Sequence, residues 1–121
     1  MPELRNAEQG RVEGSMYSEK WFYVYIMTNR SKNFYIGITN NIRNRVFQHK
    51  IGAFEGFTSR YKLDRLVYWE RFKYVNRARA REKQLKRWTR VKKMQLIVSM
   101  NPTWKDLAAD WFPDLQANKN A

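Results

Sequence analysis

Two short runs dense in aromatic and β-branched residues, Trp21–Met27 and Phe34–Thr39, are separated by the polar segment Asn29-Arg30-Ser31-Lys32-Asn33. That pattern predicts a β-hairpin, and it constrains the rest of the chain, because a lone hairpin is not stable in water and needs further elements to cover it. Side chains alternate along a strand, so Phe22, Val24 and Ile26 share one face and Tyr23 and Tyr25 the other. In the second run Tyr35 and Gly37 lie together. If the register brings these faces to one side, phenols cluster on one surface, and Gly37 leaves room there for a close approach by substrate or backbone. A third strand is expected over Leu66–Phe72. The first run is apolar or aromatic on both faces and suits the centre of the sheet.

Helices are expected between and after the strands. Asn40 or Asn41 can cap one that runs to about Lys50, with Ile42, Val46 and Phe47 as its buried stripe; Arg45 and His49, four apart, border that stripe together. Asn76 can cap a second from Arg77 to about Arg90, with Ala78, Leu85 and Trp88 or Thr89 turned inward. Glu82 falls four after Ala78 and three before Leu85, which turns a carboxylate toward the apolar face, and a carboxylate there needs a reason. Further helix is expected over Lys92–Ser99 and, capped by Asn101, over Pro102–Trp111, where Trp104, Leu107, Ala108 and Trp111 recur at helical spacing. The order ββαβααα implies an α/β domain of the α+β type: a small three-stranded, mostly antiparallel sheet flanked by helices.

At 121 residues the chain is long enough for one modest core and too short for two. Residues 1–20 are polar and aperiodic and are expected to form a flexible leader, with the domain over 21–112 and a tail over 113–121. With 43% hydrophobic and 16% aromatic residues the middle should fold despite its charge. That charge is +13, from 24 Lys and Arg against 11 Asp and Glu, and it favours a polyanionic partner such as nucleic acid or an acidic membrane. No apolar run approaches the roughly 20 residues that span a bilayer, and the first residues lack the layout of a signal peptide, so the expected location is the cytoplasm, away from membranes. Cysteine is absent and histidine single, which excludes disulfides and multi-histidine metal sites. Any metal must rest on oxygen ligands.

The blocks WFYVYIM, FYIGITNNIRNRVFQHK, GFTSRYKLDRLVYWE, AREKQLKRW and NPTWKDL, in this order and spacing, resemble the GIY-YIG nuclease superfamily, and its small stand-alone bacterial members most closely. The glycine and isoleucine of the name-giving triplet are Tyr23 and Val24 here, as is common among the small domains. The resemblance implies an endonuclease that uses one Mg²⁺ or Mn²⁺ ion to cut phosphodiester bonds, most readily DNA in repair, recombination or processing. Residue by residue, it implies that Tyr25 and Tyr35 are the two motif tyrosines, Arg45 the helix arginine, His49 the helix histidine and Glu82 the metal-binding carboxylate. It also implies a late bracing asparagine, for which Asn101 is the candidate, although helix capping explains that residue equally well. Such domains are often fused to or partnered with a targeting module, so the resemblance implies either a targeting protein partner or slight specificity.

Each role is chemically sensible beside a plainer alternative. Glu82 can bind a hard ion, or pair with Lys86 four residues on. Arg45 can clamp a phosphate with its fork of donors. Either tyrosine can activate water if nearby cations lower a phenol pKa that is ordinarily about 10, and Tyr35 is the more direct candidate. His49 can relay a proton or sit as an ordinary helix histidine. Lys50, Lys86 and Arg60 are candidate phosphate contacts, as are Arg77, Arg81 and Arg87 on the second helix, and the aromatic, basic loop Gly52–Asp64 can lie on nucleic acid or cap the core. The rival to an enzyme is a non-catalytic nucleic-acid-binding module on the same fold.

Overall fold

A computed structural model describes residues 20–53, 56 and 60–115. Within them the elements run β1 (Phe22–Thr28), β2 (Phe34–Thr39), α1 (Ile42–Lys50), β3 (Arg65–Phe72), α2 (Val75–Arg87) and α3 (Arg90–Met100). The sheet order is β2-β1-β3 with both pairings antiparallel. The expected leader, except Lys20, and the end of the expected tail lie outside the described residues, as do Phe54 and Phe57 of the loop before β3. Among the described residues no helix is long and apolar enough to cross a membrane.

β1 is central because it can be buried on both faces: Val24, Tyr25, Ile26 and Met27 are fully covered. The sheet separates two cores. On one face Val24, Ile26, Ile36, Val67 and Tyr68 meet Ala78 and Leu85 of α2 and Ile97 of α3. On the other, Tyr25, Met27, Leu66 and Trp69 meet Val46 of α1, Leu63 and Ala108. The register places Tyr25 opposite Gly37 and Met27 opposite Tyr35, so the tyrosine faces of β1 and β2 do fall on the same side, the side covered by α1.

Asn41 caps α1, its side-chain oxygen accepting from the Asn44 amide at 3.0 Å. Three helical expectations need correction. α2 starts at Val75 without a side-chain cap, leaving Asn76 inside the helix. It ends at Arg87 rather than Arg90, because Trp88 and Thr89 are extended and the Thr89 hydroxyl instead caps α3, accepting from the Lys92 amide at 3.2 Å.

The third correction is that Pro102–Trp111 forms turns rather than a helix. Asn101 closes α3 instead of opening a new helix: its side chain accepts from the Lys105 amide (3.1 Å) and donates to the carbonyls of Lys105 (2.9 Å) and Val67 (3.2 Å). Asp106 then accepts from the amides of Leu66 (3.1 Å) and Ala108 (3.0 Å), and the Leu107 amide donates to the Leu66 carbonyl at 2.7 Å. Short polar side chains and the start of β3 compete successfully with a helix for these backbone groups. The tryptophan-rich end still packs on the core, with Ala108 buried and Phe112 against Phe47.

Candidate active site

The floor of the site is set by the strand pairing. Gly37 faces Tyr25 across the β1–β2 ladder, and a Cβ added at Gly37 would come within 2.6 Å of the Tyr25 hydroxyl and 2.8 Å of a Tyr35 ring carbon. The space that glycine leaves, expected to admit substrate or backbone, is therefore taken by the two tyrosines. Their ring centroids are 6.1 Å apart, and the His49 ring sits 5.6 Å from Tyr25 and 5.2 Å from Tyr35. Helical spacing puts Arg45 one turn before His49, and the Arg45 charge acts on the Tyr25 hydroxyl, as does neighbouring Tyr35. Five of the expected site residues, Tyr25, Tyr35, Gly37, Arg45 and His49, are thus brought together on one face.

Their burial differs, and so does what each can do. Tyr25 is inaccessible and His49 nearly so, whereas Tyr35 and Arg45 are half-buried. The Tyr25 hydroxyl lies 3.0 Å from His49 Nε2. The Tyr25 hydroxyl can donate its hydrogen to an unprotonated Nε2. Burial lowers the His49 pKa to about 4, with the Arg45 charge acting in the same direction. Burial also raises the Tyr25 phenol well above its ordinary value, helped by Tyr35 and only partly opposed by Arg45. The expectation that cations would lower a motif phenol is therefore reversed for Tyr25, because desolvation outweighs the guanidinium. Tyr25 and His49 form a neutral support, and Tyr35 and Arg45 are the members that can touch a ligand.

Glu82 is not part of this cluster. It sits on α2, which packs on the opposite face of the sheet. Its side chain is 20% exposed between Ala78 and Leu85, and its carboxylate pairs with Lys86 at 3.0 Å, Lys86 itself being 55% exposed. Among the described residues no three His, Cys, Asp or Glu side chains gather in a way that could hold a metal ion.

Several basic candidates are engaged elsewhere. Lys50 forms a clasp, donating to Asp106 at 2.5 Å and to the Asp64 carbonyl at 2.9 Å, and so ties the end of α1 to β3 and the last turns. Arg81 reaches inward to Glu70, with three N–H···O contacts of 2.8 to 3.1 Å. Asn101 is buried and braces β3 and the Lys105 turn. Arg60 remains exposed.

The Glu70–Arg81 pair was not anticipated. Glu70 is 3% exposed, also accepts from the Tyr68 hydroxyl, and anchors α2 to β3 one residue before Glu82. The available signal was a carboxylate inside the otherwise apolar LVYWE run, a placement that requires a buried partner.

A family model described as the GIY-YIG catalytic domain matches residues 21–95. A UPF0213 protein of Clostridium perfringens is 38% identical over 77 residues, covering 64% of this chain and 83% of that protein. One from Natronomonas pharaonis is 33% identical over 75 residues, covering 62% and 88%. The solution NMR structure of a UPF0213 protein from Bacillus halodurans has a TM-score of 0.48 at 25% identity, covering 74% of this chain and 97% of that one. The family model spans more than half of the chain, including both tyrosine strands, α1 and α2, and the chain belongs to the GIY-YIG catalytic domain family.

Proposed function

We propose that this protein is a cytoplasmic, divalent-metal-dependent endonuclease that hydrolyses phosphodiester bonds, with DNA as its substrate. The observation that carries this reading is the graded cluster on the α1 face, in which a buried neutral Tyr25–His49 pair supports an accessible phenol and guanidinium. Arg45 holds the scissile phosphate and offsets the charge that grows on its oxygens as water attacks phosphorus. Tyr35 orients that water and acts as its general base. Tyr25 does not act as the base; with His49 it keeps Arg45 and Tyr35 in place. Exposed Arg60 and the outer cations of α2 add contacts to backbone phosphate that carry little sequence information.

Glu82 would hold the metal ion. A single half-buried carboxylate whose partner is an exposed lysine suits a hard cation that keeps several waters and takes phosphate oxygens. When bound, Mg²⁺ or Mn²⁺ would supply charge neutralisation to the phosphate oxygens of the bound strand. A strand that meets both Glu82 and Arg45 must pass an edge of the sheet, and β2 is the edge that carries Tyr35.

The test is cleavage of supercoiled plasmid and branched DNA at low salt by wild type, Glu82→Gln and Arg45→Ala proteins, with Mg²⁺, Mn²⁺ or chelator. Metal-dependent nicking that disappears in both variants while their thermal unfolding is unchanged is the expected result. DNA binding with no cutting under any condition overturns the proposal in favour of a binding module.

A further inference from the structure

On the sheet face opposite the tyrosine cluster, four side chains form a continuous stack. The Phe34 and Trp104 rings lie 6.0 Å apart and nearly parallel, at 17°. The Lys32 ammonium sits 4.9 Å from the Trp104 ring, and the Arg90 guanidinium sits 5.1 Å from the Phe34 ring. Two rings, Phe34 of β2 and Trp104 of the turn after α3, are thus capped by two cations from separate places, the β1–β2 turn and the start of α3. Arg90 is exposed, Lys32 and both rings are half-buried, and only the rings lean on the core.

Two features distinguish this stack from incidental packing. Lys32 and Trp104 are two of the three non-glycine residues with positive φ among the described residues, at 59° and 58°, and they are the two that meet at the end of the stack. That backbone region is disfavoured for side-chain-bearing residues and persists only where the surroundings enforce it. They do so here: the Lys32 amide donates to the Asn29 carbonyl at 3.0 Å, the Trp104 amide donates to the Asn101 carbonyl at 3.1 Å, and the Asn101 side chain holds the amide of Lys105. Secondly, neither cation has a carboxylate partner among the described residues, where the ion pairs join Lys50 to Asp106, Arg81 to Glu70 and Lys86 to Glu82. The rings therefore hold two uncompensated charges in place without neutralising them.

We infer that Lys32, Trp104, Phe34 and Arg90 form a second nucleic-acid contact, in which the two cations take backbone phosphates and the rings fix their positions. The partner is a polyanionic strand, in keeping with the +13 chain. Its placement follows from β2: Phe34 and Tyr35 are consecutive on this edge strand and point to opposite faces, so a strand passing Tyr35 around the edge meets Phe34 and its capping cations next. The contact deepens the nuclease reading and rests on it for the identity of the strand. It secures the substrate beside the cut and takes no part in the chemistry.

The experiment is fluorescence anisotropy of a labelled DNA oligonucleotide, titrated with protein in chelator at several salt concentrations. Lys32→Glu/Arg90→Glu is compared with Arg65→Glu/Lys73→Glu, an equal charge change on and just beyond the opposite edge strand. The stack variant should weaken binding about tenfold or more and lower the log–log salt slope by about 1.5, the loss of two phosphate contacts. The opposite-edge variant should weaken binding about threefold or less. Lys32→Gln/Arg90→Gln should give an intermediate loss with an unchanged unfolding temperature. Equal losses for the two reversed pairs, or no loss for the stack variant, overturn the inference. Because chelator removes metal-dependent cutting from the measurement, a failure of the Glu82 cleavage test would not produce either of those outcomes.

Discussion

The Tyr25 hydroxyl lies 3.0 Å from His49 Nε2, which joins the centre of the sheet to the last turn of α1. A helix C-terminus ordinarily favours a charged histidine. Here burial beneath the sheet tyrosines, with Arg45 one turn away, outweighs that preference and keeps the imidazole neutral.

A consequence is measurable as acid sensitivity. The folded His49 pKa of about 4 lies below the ordinary 6.5, so between these values the unfolded chain binds more protons than the folded one. The contribution of neutral His49 is fully present above about pH 6.5 and is lost as pH falls toward 4, by about 3 kcal/mol. Denaturant melts of wild type and His49→Gln between pH 7 and 4 should show a shallower decline for the variant. NMR titration of the imidazole should show no protonation near pH 6.5.

The two motif tyrosines should separate in their effects. Tyr35→Phe removes an accessible hydroxyl and should leave the melting temperature nearly unchanged while lowering cleavage by about 100-fold or more. Tyr25→Phe deprives buried His49 of its Nε2 partner and should cost about 1–3 kcal/mol of stability, with a smaller loss of kcat than at Tyr35. Parallel melts and single-turnover cleavage would distinguish these outcomes, and equal rate losses would show that both phenols act in the chemistry.

Gly37→Ala tests the packing of the site. Its Cβ would lie 2.6 Å from the Tyr25 hydroxyl and 2.7 Å from the adjoining ring carbon, neither of which is a flexible chain end. Overpacking of this kind should cost about 1–3 kcal/mol and shift the tyrosine and His49 resonances. Pairing it with Tyr25→Phe should recover only part of the loss, since the ring remains.

The Glu70–Arg81 pair should matter to stability more than its single exposed edge suggests. Glu70→Ala leaves the Arg81 Nε and Nη2 and the Tyr68 hydroxyl without their shared acceptor and should cost about 3 kcal/mol in denaturant melts. Combining it with Arg81→Met should restore part of that stability, because an unpaired half-buried charge is the larger penalty.

The hairpin, the central position of β1 and the third strand were legible because each depends on a local period: apolar on both faces for β1, a polar break after it, and an apolar run beginning near Leu66. The membership of Arg45 and His49 on one side of α1 follows from helical spacing alone. The end of the chain was misread because Trp104, Leu107, Ala108 and Trp111 keep helical spacing without forming a helix. Asn101 and Asp106 take the backbone groups that the helix needs, and their acceptors and donors on β3 are about 35 to 40 residues away in sequence.

Sequence by itself therefore determined the family, the order of the main elements and which side chains share a face, since these follow from short-range periodicity and motif spacing. Tertiary structure decided what each polar group does. Burial of Tyr25 and His49 raised one pKa and lowered the other, the Gly37 space was filled by the tyrosines, and Lys50 and Arg81 were drawn to Asp106 and Glu70. Desolvation and partner choice depend on residues far apart in the chain that meet only after folding, and no local pattern encodes them.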